Sequence, residues 1–171
     1  SGDSVQSLQN LKNINANGVA WLTINGTNID YGVVQGYDNF EYAERDIYRN
    51  WSKNGCIWAE SRCKFANGLS RNTVLFGHNW TNWRASPAIG RASDVMFAQL
   101  TAYQYSDFAL NHPYIRLTVG ENIYTFVLFA AFNTDIKFDY IDPNPGDQKF
   151  SNILNDAIAR SDYLFSTEVN T

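Results

Sequence analysis

His78 ends the stretch Asn72-Thr-Val-Leu-Phe-Gly-His-Asn79, in which an apolar, strand-like run stops at Gly77. A histidine released from the edge of a sheet toward a cleft can carry protons near neutral pH. The bland alternative is a buried histidine with a satisfied hydrogen bond. The sequence holds only two histidines, and His112, directly before Pro113, reads as a packing or capping residue with no chemistry. Cys56 and Cys63 are separated by six residues. That is not a zinc spacing, and it leaves two readings open, a disulfide across a loop or two unpaired thiols. Arg62 and Lys64 beside Cys63 would favour its thiolate. No cysteine, serine or acid in the last third reads as a partner for His78. Asp135, Asp139, Asp142 and Asp147 form a loose acidic group without the alternate-ligand pattern of a calcium loop, and read as a solvated loop. Tyr37, Trp80 and Trp83 are candidates for stacking on a sugar or peptide, against the commoner reading of local packing.

These side chains need elements to hold them. Val5, Leu8 and Leu11 predict a short amphipathic helix over 4–12. Strands are expected over 19–24 and 29–34, with a turn at Asn25-Gly26. Asp38 with Glu41 resembles a capping box, so a helix over 39–49 is expected, with Phe40, Ala43 and Ile47 inward. A short strand over 55–59, a loop over 60–70 and a central apolar strand over 73–76 follow. The segment 79–92 reads as a long loop. Ser93 is expected to cap a helix carrying Val95, Met96, Leu100 and Tyr103. A hairpin over 114–119 and 122–133 turns at Gly120-Glu121. The apolar run 124–132 is too short to span a bilayer and reads as a buried strand. After Pro143 and Pro145, residues from Asp147 onward predict an amphipathic helix. Strands interrupted by helices, without regular βα alternation, give an α+β class.

The length of 171 residues suits one domain, 1–171, with 1–17 as an N-terminal helical extension. Aromatics at 15% and hydrophobic residues at 44% favour a large ordered core. The net charge of −4 argues against nucleic acid as the main partner. The start, Ser1-Gly-Asp-Ser4, has no initiator methionine and leaves room for a removed signal or anchor segment.

Several motifs fall in order along the chain. They are Gly18-Val-Ala-Trp-Leu-Thr-Ile24, Gly26-Thr-Asn-Ile-Asp-Tyr31 with Val33-Val-Gln35, and Asp38-Asn39 with Tyr42. Gly55-Cys-Ile-Trp58, the Asn72–Asn79 stretch, Met96-Phe97, His112-Pro-Tyr-Ile115 and Asp139-Tyr-Ile141 complete the series. Together they resemble a class B sortase, a cell-surface cysteine transpeptidase of Gram-positive bacteria. The resemblance implies an eight-stranded sortase-like β-barrel with an N-terminal helix and a long helix between the sixth and seventh strands. It implies no cofactor and no metal.

The implied reaction is attack by a cysteine thiolate on an Asn-Pro-x-Thr-like sorting signal. The acyl group then passes to an amine of a peptidoglycan precursor or a pilin. His78 is implied as the catalytic histidine, and Asn39, Tyr42, Tyr140 and Ile141 as substrate-binding positions. The implied location is the extracellular face of the membrane, reached through an N-terminal anchor. In the family the cysteine ends the seventh strand in a Thr-Leu-x-Thr-Cys motif, and an arginine follows on the eighth. Neither has a matching position in this sequence, so the last two strands are expected to be missing and the chain inactive as it stands. Gly32 replaces a usual proline, which is expected to loosen its strand, and Ala43 replaces a usual leucine at the sorting peptide. Two rival readings are a non-catalytic sortase-like peptide-binding module and an aromatic-rich glycan-binding surface domain.

Overall fold

The computed structural model of the protein describes residues 3–80, 91–163, 165 and 169. Helix α1 (Ser4–Ile14) buries Leu8 and Leu11, the pair whose spacing predicts it. Strand β1 (Gly18–Thr23) alternates buried and half-buried residues and pairs antiparallel with β2 (Asp30–Val34). Strand β3 (Ile57–Ala59) runs parallel to β2, and β4 (Leu75–Phe76) antiparallel to β3. A 3₁₀ helix (Ala98–Gln104) and helix α2 (Ser106–Asn111) lead to the hairpin of β5 (Tyr114–Val119) and β6 (Asn122–Val127). Helix α3 (Asp147–Arg160) follows. The strands form one curled six-stranded sheet in the order β4-β3-β2-β1-β5-β6. The expected α+β class and the long helix after the sixth strand are borne out.

Each face of the sheet carries its own core. On one face Ala20, Leu22, Val33, Ile57 and Leu117 pack with Tyr103 and Ala109 of the helical segments. On the other, Val34, Cys56 and Trp58 pack with Leu8 and Leu11 of α1 and with Tyr42. Val33 and Val34 serve opposite cores because successive strand residues point to opposite faces. Gly32 does not loosen its strand. A Cβ there would lie 2.7 Å from Leu11 Cδ2, so the glycine is what lets α1 settle on β2.

Four expected elements differ. The helix over 39–49 does not form, although its capping signal is satisfied. Asp38 Oδ1 accepts from the N–H groups of Phe40 and Glu41, and Glu41 Oε2 accepts from the N–H of Tyr37. The chain makes one turn and then leaves the helical path. Asp46 Oδ1 captures the N–H groups of Tyr48 and Asn50, Arg49 adopts a φ of +67°, and Phe40 is 80% exposed. Side-chain bonds to the backbone have outcompeted the helix. This irregular stretch lies within the crossover that the parallel pairing of β2 and β3 requires.

The helix expected from Ser93 is instead a 3₁₀ helix starting at Ala98. Met96 has a φ of +55°, and a left-handed residue stops a right-handed helix from running through it. The strand over 73–76 is not central. It shortens to Leu75–Phe76 and lies at one end of the sheet. The run 124–132 is not a buried strand either. Strand β6 ends at Val127 at the other end of the sheet, with Ile123 and Phe126 exposed. Apolar composition marks what gains from burial, but an end strand has a neighbour on one side only.

Candidate active site

Strand β4 delivers the chain to Gly77 and then His78. A Cβ at Gly77 would meet Ile57 Cδ1 at 2.6 Å and Phe97 Cδ2 at 2.7 Å, so only glycine lets the backbone leave the sheet here. The carbonyl of His78 accepts from the Phe97 N–H at 3.0 Å, which ties the end of β4 to the segment before the 3₁₀ helix.

The imidazole is held in three directions. Its Nε2 lies 2.6 Å from the carbonyl oxygen of Ala43. Trp80 stacks on it with centroids 4.7 Å apart and planes 24° apart, and Trp58 lies 5.7 Å away at 57°. The ring is half-buried. Trp83 lies outside the described residues. A groove of about 540 Å³ opens beside Asn79, walled by Leu100, Tyr103, Ile115, Leu128 and Phe132.

Asn39 and Tyr42 belong to the same assembly. Trp58 Nε1 donates to Asn39 O at 3.0 Å, so the ring against His78 also fixes the turn at 38–41. Asn39 Oδ1 accepts from the Ser61 N–H at 2.7 Å, and its Nδ2 reaches Glu60 Oε1 at 3.4 Å. Glu60 is buried and answered by Arg62, whose Nε lies 2.7 Å from Oε1. Tyr42 is 0% exposed, and its hydroxyl accepts from the side-chain amides of Asn15 and Asn17, each at 2.9 Å. Its ring is core, packed with Leu8, Leu11 and Trp58.

Tyr140 and Ile141 stand in a second group at the other end of β4. Asn72 Nδ2 donates to Tyr140 O at 2.6 Å and to Asp142 O at 2.9 Å. The Tyr140 ring stacks on Phe138, and Ile141 is exposed. Sequence reasoning missed the Ala43 carbonyl, Trp58, Phe97 and Gly55. The Gly55-Cys-Ile-Trp58 and Met96-Phe97 strings hinted at three of them without giving a role, and backbone groups leave no trace in a sequence.

Tyr37 is 83% exposed, whereas His112 and the acidic candidates have structural partners. His112 Nδ1 lies 3.0 Å from the carbonyl of Phe108, whose ring it stacks on. Asp139 and Asp142 pair with Lys149, and Asp147 with Arg71. Among the described residues no group of three or more histidine, cysteine or acidic side chains is placed to hold a metal ion.

Both cysteines are free and buried. Burial, aided by Asp46, pushes the Cys56 thiol up to about 12. Burial also raises Cys63, more than the Val74 N–H at its sulfur lowers it. A nucleophilic cysteine needs the opposite setting. At pH 7 the folded chain is expected to react with a disulfide reagent about 100-fold more slowly than the urea-unfolded chain. The Cys56 rate should keep rising with pH well past 9, because its thiolate appears only as the pH approaches 12. Thiol release timed by absorbance checks both. Labelling as fast as in the unfolded chain would place a thiol at the surface.

No family model matches the chain. It is 29% identical over 171 residues to sortase B of Listeria monocytogenes, covering 99% of this chain and 65% of that protein. It therefore spans just under two thirds of that relative's length. Its fold superposes on a Staphylococcus aureus sortase B–substrate complex with a TM-score of 0.83, at 26% identity, covering 97% of this chain and 72% of the other. For a solved structure of sortase B from Listeria monocytogenes the TM-score is 0.77, at 30% identity, covering 96% of this chain and 86% of the other. A sheet end that releases a clamped histidine thus sits in a fold shared across nearly the whole chain, and the protein belongs to the class B sortase family.

Proposed function

We propose that this chain supplies the histidine and much of the substrate groove of a cysteine transpeptidase that cleaves Asn-Pro-x-Thr-like sorting signals. The observation that carries the reading is His78 itself, half-exposed and clamped just past the end of β4. A thiolate attacks the scissile carbonyl carbon, and the tetrahedral adduct collapses to a thioester as the C–N bond breaks. The departing amine takes its proton from the imidazolium of His78. An incoming amine then attacks the thioester and gives its proton back to the imidazole as the thiolate leaves. Asn39, Tyr140 and Ile141 line the peptide path, and Tyr42 sets the backbone beside it. The acceptor amine belongs to a peptidoglycan precursor or a pilin.

The reaction fits the outer face of a Gram-positive membrane, with attachment through a segment preceding these residues. No helix among the described residues is long and apolar enough to cross a membrane. The thiol comes from neither Cys56 nor Cys63, since burial holds both protonated.

A quenched fluorescent Asn-Pro-x-Thr-type peptide tests the reading. A longer chain bearing the family's Thr-Leu-x-Thr-Cys strand is expected to cleave it, and residues 1–171 alone are not. Turnover by residues 1–171 that disappears in Cys56→Ala or Cys63→Ala would overturn the assignment of the nucleophile. A longer chain with no thiol-dependent cleavage would overturn the function.

A further inference from the structure

One carbonyl decides which nitrogen of His78 is free to work. A carbonyl oxygen only accepts, so at 2.6 Å from Ala43 O it is Nε2 that carries the hydrogen. In the neutral ring Nδ1 then holds the lone pair. Nδ1 meets no hydrogen-bond partner among the described residues and is not a buried orphan. Trp80 stacked on the ring and Trp58 tilted against it keep the imidazole from turning over, a flip that would bring Cε1 in place of Nε2 to Ala43 O.

The carbonyl is available because the segment around it is not a helix, in which Ala43 O would accept from the Ile47 N–H. Asn15 holds the segment open. Its Nδ2 donates both to the Tyr42 hydroxyl at 2.9 Å and to Ile47 O at 3.0 Å. Gly55 packs directly against the same carbonyl. It has a φ of +58°, and a Cβ on it would lie 2.5 Å from Ala43 O and 2.8 Å from Tyr42 O. Any side chain at 55 must displace that carbonyl from the position in which it meets His78.

We propose that the Ala43 carbonyl, seated by Gly55 and by the Asn15–Tyr42 clamp, fixes His78 as the Nε2–H tautomer and makes Nδ1 the nitrogen that exchanges protons. The catalytic part of this rests on the proposed transpeptidase reading. Nδ1 takes the thiol proton, leaving thiolate and imidazolium. Nδ1–H later gives that proton to the departing amine, while Nε2–H stays on Ala43 O throughout. The attacking sulfur must therefore approach from the Nδ1 side. Gly55 is a positioning residue, acting through a carbonyl it touches.

Imidazole-¹⁵N NMR on residues 1–171 with the ring neutral reads the tautomer directly. The expected result is a single Nε2–H tautomer. Gly55→Ala is expected to shift the tautomer ratio at least about fivefold toward Nδ1–H, the scale of one ordinary hydrogen bond. Gly120→Ala is the control, because Gly120 has a φ of +60° with nothing within 4 Å, so it carries the backbone strain without the clash. It should leave the ratio unchanged. Should Gly55→Ala fail to fold, Tyr42→Phe carries the test, since it keeps the ring, frees the clamp and should move the ratio the same way. An Nδ1–H tautomer or an even mixture in the parent overturns the proposal. So does an unshifted ratio in the folded variant. The measurement needs no turnover, so an inactive longer chain would fail the proposed function and leave the tautomer assignment standing.

Discussion

In a longer chain that carries the family's cysteine strand, His78→Ala is expected to lower turnover by about 100-fold or more, the usual scale for a lost general acid–base group. In the proposed mechanism the substitution removes the group at the end of β4 that takes the thiol proton and returns it to the leaving amine. It should spare the fold, because the ring is half-buried and its main tie is a single bond to Ala43 O. The backbone bond from Phe97 N to His78 O survives it. Peptide binding should change little, so the loss belongs in kcat and leaves KM near its parent value. Single-turnover kinetics separates the two. A variant that keeps most of its activity would remove His78 from the mechanism.

Leu11→Ala is expected to destabilise the folded chain by about 3 kcal/mol, within the range of leucine truncations in cores. Leu11 is 1% exposed and lies over two glycines. Its Cγ is 2.8 Å from where a Cβ on Gly18 would be, and its Cδ2 is 2.7 Å from the corresponding point on Gly32. Truncation leaves a void between α1 and the sheet that a rigid strand cannot collapse to fill. The pairing gives a sharper test. Gly32→Ala alone should overpack and destabilise by about 1–3 kcal/mol, but should cost less in the Leu11→Ala background, where the space exists. A double-mutant cycle in urea, read at the unfolding midpoint, measures that coupling. Strict additivity would show that Leu11 and Gly32 do not share the contact.

The elements that follow from local spacing were legible in the sequence. Leu8 and Leu11 mark α1, the alternation through Ala20 and Leu22 marks β1, and Gly120-Glu121 marks the last hairpin. The motif order gave the family, and the Gly77-His78 step marked the end of a strand. Tertiary structure decided the rest. Whether residues 39–49 coil into a helix depended on capture of its backbone, by Asp46 from within and by His78 at Ala43 O from 35 residues away. Whether 73–76 and 124–132 were central or terminal depended on which strands lay beside them. The clamp on His78 is a carbonyl, a glycine with no side chain and two tryptophan faces from separate segments. Backbone groups are the same at every position, so a sequence records where they stand only through the fold that brings them together.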